Sequence, residues 1–126
     1  MQSFKFMVRS CPIPIRRKLV TVAPDTLISA VARKMRDEDV GAVVVITEED
    51  GHPRGILTDR DIVIRCIAEN VDVDECTAEQ ILSESPCTIR EDDGNDDEAI
   101  KKMQVEEIHR LIFVDGEGRA VGVLAA

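Results

Sequence analysis

An internal repeat restricts this chain more than any other feature. Cys87-Thr-Ile follows Val20-Thr-Val at a distance of 67 positions, and Met103 follows Met35 at 68. Leu111-Ile-Phe-Val follows Val43-Val-Val-Ile at 68, and Gly122-Val-Leu follows Gly55-Ile-Leu at 67. A spacing held within one residue over four landmarks marks two copies of one supersecondary unit. The fold must then be built from two like halves, each with its own apolar pattern and its own turn.

The first copy supplies the pattern. Residues 19–22 are a short β-branched run ended by Ala23-Pro24-Asp25, and Asp25 or Thr26 is placed to cap a helix. Leu27, Ile28, Val31, Ala32 and Met35 then recur at helical spacing, and Gly41 ends that helix. Residues 42–46 read as a strand buried on both faces. Residues 48–53 have turn chemistry, and 54–57 return as an antiparallel strand. After Thr58, Asp59 is placed to cap a helix through Ile62, Cys66 and Ile67 to about Glu69. The unit is β-α-β-β-α.

Residues 70–76 read as a linker, Thr77-Ala-Glu-Gln80 as a capping box for a short helix, and 87–90 as the strand that restarts the order. The second copy carries its own hairpin turn, Asp115-Gly-Glu-Gly118. It ends in Ala125-Ala126 where the first has Thr58-Asp-Arg-Asp61 and a helix, so the final helix is expected to be lacking. The expected divisions are an N-terminal segment at 1–17, extended by Pro12 and Pro14, a first repeat at 18–70, and a linker helix with the shortened second repeat at 71–126. The fold class is α+β.

Composition removes whole classes of function. With 25 acidic against 16 basic residues, the net charge is −9, which argues against nucleic-acid or anionic-membrane partners because both need clustered Lys and Arg. A small anion held by a few local cations stays compatible. The longest apolar run, 40–46, is a strand's length and far short of a membrane span. Arg9, Pro12 and Pro14 interrupt any secretory core, and the four cysteines form no CxxC pair, so reduced thiols in a cytoplasmic protein are expected. The absence of Trp and Tyr leaves any bound base to lie between aliphatic side chains.

The residues that carry chemistry gather in Gly55-Ile-Leu-Thr-Asp-Arg-Asp61, where a strand hands over to a helix. A helix start leaves N–H groups unpaired and so favours anions. Thr58 offers a hydroxyl, Asp61 a carboxylate able to accept from two vicinal hydroxyls, and Arg60 a planar fork matched to phosphate. Each also has a plain reading: Thr58 as a helix cap, Asp61 as a first-turn carboxylate, Arg60 as a surface residue. Arg16-Arg17-Lys18 reads as a solvated basic cluster, with help from Arg16 and Arg17 in holding phosphate as the alternative. The acidic run at 91–98 fails the calcium-loop spacing, since counting back from Gly94 puts Ile89 where the first Asp belongs. Gly116, Gly118 and Gly122 lead into a strand and not a helix, so they form a hairpin turn and no dinucleotide fingerprint. No metal or catalytic constellation is found, and an enzyme is not expected.

In this order and twice over, the V-T-V strand, the helix ending in Met, the G-A-V-V-V strand, the D-G-x-P-x-G hairpin and the G-I-L-T-D-R-D turn resemble a tandem pair of CBS domains, the Bateman module. The resemblance covers about residues 18–126. It implies two repeats packed about a pseudo-two-fold axis as a non-catalytic regulatory unit, with an adenosine-containing ligand in the cleft between them. AMP, ADP and ATP, and in some members S-adenosylmethionine or NAD, are the implied ligands; no cofactor is implied beyond such a regulatory nucleotide. It implies Asp61 on the ribose, Thr58 near the phosphate, His109 and Arg110 as a phosphate-facing basic pair, and Val20, Thr21 and Val43 around the base. The implied assembly is a homodimer. The alternative is a ligand-free interaction module that regulates a partner enzyme or transporter by contact.

Overall fold

The computed structural model describes residues 15–84, 87–92 and 96–125. In chain order the elements are β1 (Ile15–Arg17), β2 (Thr21–Val22), α1 (Ile28–Glu38), β3 (Ala42–Ile46), β4 (Pro53–Thr58) and α2 (Asp59–Ile62), which runs on as a π-helical stretch, Val63–Ile67. There follow α3 (Ala78–Ile81), β5 (Ser83–Glu84), β6 (Thr88–Arg90), α4 (Asp96–Glu106), β7 (Arg110–Val114) and β8 (Ala120–Ala125). The proline-rich start, Ser85-Pro86 and the middle of the acidic run lie outside the described residues.

The strands make two four-stranded sheets, ordered β2-β3-β4-β5 and β1-β8-β7-β6. The repeat is visible in the register. Ala42 faces Thr58 in the first hairpin as Arg110 faces Ala125 in the second, and both hairpins bulge at equivalent steps, Val45/Ile46 and Phe113/Val114. The edges are exchanged: β5, which follows the first repeat, pairs with β4, while β1, which precedes it, pairs with β8. The two halves are therefore interlocked by backbone hydrogen bonds.

Three apolar clusters follow from this arrangement. Val22, Ile28, Val31, Val45, Leu57 and Cys66 are among those packed beneath the helices of the first repeat. Ala99, Met103, Leu111, Phe113 and Leu124 do the same in the second. Val44 and Ile56 meet Ile112 and Val114 between the sheets.

Several helix ends differ from the sequence expectation, and at the start of α1 the reason is that distant backbone supplies the partners. Neither Asp25 nor Thr26 caps α1; Leu27 occupies the cap without a side-chain bond. Instead Ile28 N donates to Cys76 O at 2.8 Å and Ser29 N to Val73 O at 3.0 Å, so residues 70–76 are folded back onto the helix start. At its other end α1 stops at Asp39, which takes the left-handed conformation (φ 55°), two residues before Gly41. The second helix is capped by Thr58, not Asp59, and its last turns widen into π geometry before the chain turns away at residues 68–70. The capping box at Thr77 and Gln80 forms as expected.

Candidate functional site

The inter-sheet contact is closed at one end and open at the other. At the closed end the hairpin turns touch, with Ala120 N donating to Gly51 O at 3.1 Å and the His52 ring bonded to Glu117 O at 2.6 Å. At the opposite end, where β3 and β7 begin, a cavity of about 480 Å³ opens between the repeats. That is within the range of small-molecule sites, roughly 300–1,000 Å³.

Four cations line the cavity: Arg16 and Arg17 from β1, Lys18 directly after it, and Arg110 from β7. Glu38 and Asp39 at the end of α1 face them, and Val40, Ala42, Val123 and Ala125 supply an apolar floor. In a chain of net −9 this is a concentration of positive charge set by topology, since β1 lies antiparallel to β8.

Not all four cations are free. Arg16 Nε donates to Asp96 Oδ1 at 3.0 Å, its guanidinium stands 3.8 Å from Glu91, and it lies 3.7 Å over the Phe113 ring. Lys18 is ion-paired with Glu38. Among the described residues Arg17 has no ion-pair partner, and the buried Nε of Arg110 has no hydrogen-bond partner. An unsatisfied buried donor is costly, so a group that accepts from it would be stabilised.

Of the residues expected at the site, the cavity brings in Arg110 only. Thr58 and Asp61 stand one cross-strand step away, because Thr58 pairs with Ala42. They bond to each other: Asp61 N donates to Thr58 Oγ1 at 3.1 Å, and Thr58 N donates to Asp61 Oδ2 at 2.9 Å. Arg60 is exposed, its amide held by Asp59 Oδ1 at 2.8 Å. His109 is exposed beside Arg110. Val20 and Val43 are buried in the first repeat's core at 5% and 1% exposure, and Thr21 offers its carbonyl to Lys34 Nζ at 2.7 Å. The sequence alone does not mark Lys18, Glu38 or Asp39. The one available signal is the basic run ahead of the first repeat, which reads as solvated until β1 is paired with β8.

Comparison with known proteins agrees with this architecture. The model of the CBS domain matches twice, over residues 8–67 and 78–126. Protein MK0525 of Methanopyrus kandleri is 37% identical over 109 residues, covering 86% of this chain and 55% of its own length. The CBS domain-containing protein YhcV of Bacillus subtilis is 34% identical over 112 residues, covering 86% of this chain and 74% of its own. The chain thus spans between half and three quarters of these two relatives. Among solved structures, the CBS domain protein PAE2072 from Pyrobaculum aerophilum, complexed with AMP, superposes with a TM-score of 0.73 at 28% identity, over 88% of this chain and 82% of that one. Among the described residues no helix is long and apolar enough to cross a membrane.

Proposed function

The chain belongs to the CBS-domain family and carries the domain twice, and from that premise we propose that it is a non-catalytic regulatory module sensing an adenosine-containing ligand in the cleft between its repeats. One observation carries the reading: a cavity of about 480 Å³ at the inter-repeat joint, lined by cations that include Arg110 with its unpartnered Nε. The apolar floor of Val40, Ala42, Val123 and Ala125 suits a base in a protein without Trp or Tyr. In this reading Arg110, with His109 beside it, meets phosphate, and Asp61 reaches the ribose from the flank through its second carboxylate oxygen, Oδ2 being held by the cap. The AMP complex of PAE2072 lends support, as that protein takes such a ligand.

Ligand would bridge the two repeats and shift how they pack, by no more than its difference in affinity for the two arrangements. We further propose a homodimer. Val63, Ile64 and Ile67 are 51%, 47% and 58% exposed on one short helical stretch, and a two-fold mate would offer the same apolar strip in return. Sedimentation checks this: Ile67→Glu should give monomers, and an unchanged mass would remove the helix from the interface.

Calorimetry with AMP, ADP, ATP, S-adenosylmethionine and NAD tests the function. Binding between about 1 μM and 1 mM, or −8 to −4 kcal/mol, is expected for at least one of them. Asp61→Asn keeps a carbonyl oxygen for the cap and should weaken that binding, as should Arg110→Ala. Absence of binding by all five would instead favour the ligand-free interaction module.

A further inference from the structure

The charges around the cavity are paired unevenly, and we propose that Glu38 acts as a built-in counter-ion that limits the cleft to a short phosphate group. This rests on the reading of the cleft as an adenosine-phosphate site. Of the four lining cations, Arg16 is committed away from the cavity, to Asp96 at 3.0 Å and to the Phe113 face at 3.7 Å. Lys18 is held by Glu38. Two guanidinium groups remain, Arg17 and Arg110, and Asp39 lines the same cavity.

Two available forks match one phosphate monoester, which carries close to two negative charges at neutral pH. A triphosphate brings about twice that charge and must place its excess beside Glu38 and Asp39. It would have to share Lys18 with Glu38, whose carboxylate offsets that cation's charge and faces the same phosphates. The Glu38 carboxylate therefore penalises a long phosphate chain twice, by withholding a cation and by repelling the anion. A monophosphate, seated on Arg17 and Arg110, feels little of either.

The Lys18 and Glu38 side chains are 61% and 37% exposed, so their pairing is weak and the discrimination should be correspondingly modest. A bias of about two- to five-fold is the scale that an exposed ion pair supports. Glu38 closes α1 and faces water in part, so Glu38→Gln removes the charge at nearly constant shape.

Calorimetry with AMP and with magnesium-free ATP, at matched ionic strength, decides the matter on the full chain. The native protein should bind AMP more tightly than ATP, and Glu38→Gln should raise the affinity for ATP relative to AMP about two- to five-fold. In a Lys18→Gln background only the part of that gain due to relieved repulsion should remain, because the freed cation is gone. Equal or tighter ATP binding by the native protein would overturn the inference while leaving the ligand class intact. An equal gain for both nucleotides in Glu38→Gln would overturn it too, as it would mark a general field effect. If neither nucleotide binds, the underlying reading of the cleft fails and the inference falls with it.

Discussion

Asp61 serves two ends with one carboxylate, and its neighbours decide how the two can be separated. Its amide and its Oδ2 close a reciprocal capping box with Thr58, at 3.1 and 2.9 Å. This satisfies donors that the first helical turn would otherwise leave bare. Loss of a capping hydroxyl typically costs about 1 kcal/mol. Thr58→Ala should therefore lower stability in urea by about that amount, with an unchanged dependence on denaturant. A loss well under half of it would mean the box contributes little in this setting. The Thr-x-x-Asp spacing was legible as a polar turn at a helix start. That Thr58, not Asp59, would cap the helix was harder to read, because two carboxylates and a hydroxyl all suit such a start. The cationic run before the first repeat was legible as charge but not as a cavity wall, since only its pairing with β8 brings it there.

At the scale of elements, the exchanged edges give equivalent glycines unequal roles. Gly55 on β4 lies against β5 so closely that an added Cβ would meet Ser83 O at 2.4 Å and Leu82 Cδ1 at 2.7 Å. Backbone cannot step aside without opening the edge pairing of Gly55 with Glu84 and Ile56 with Ser83. At the matching position of the second repeat, a Cβ on Gly122 would meet Arg16 Nη1 at 2.8 Å, the far end of a flexible side chain. Overpacking costs about 1–3 kcal/mol where the structure cannot relax. Gly55→Ala should fall at the upper end of that range and Gly122→Ala clearly below it, as read by urea midpoints. Equal losses would show that the Arg16 head is as rigid as the Ser83 backbone. The hairpins, the long helix and the repeat itself were legible, because their signals are local or simply duplicated. The edge strands β1 and β5 were not: three and two residues long, they are defined wholly by partners distant in the chain. The folding of residues 70–76 onto α1 escaped notice for the same reason, as carbonyl caps leave no side-chain signature.

The whole molecule is held together by these exchanges and by the apolar layer between the sheets. Neither repeat owns all the strands of its sheet, so opening one unpairs an edge of the other. Ile112 is fully buried in the layer shared with Val44, Ile56 and Val114. Truncation of a buried isoleucine to alanine costs about 2–5 kcal/mol, in proportion to the cavity left behind. If the repeats folded separately, Ile112→Ala would loosen the second sheet alone. Interlocked repeats make a different outcome follow: the protection of slowly exchanging amides in β3 and in β7 should fall together, by the same free energy as the global loss. Hydrogen exchange on the native protein and on Ile112→Ala measures both strands in one experiment. Protection lost in β7 but kept in β3 would mean that the repeats open independently. A ligand could then act on one repeat without the other, and a regulatory signal carried by their relative packing would have no rigid frame to travel through. Protection lost in both strands would make the cleft and the hairpin clasp at its far end parts of a single cooperative unit. A ligand bound at the open end would then report its presence through the layer on which Ile112 sits.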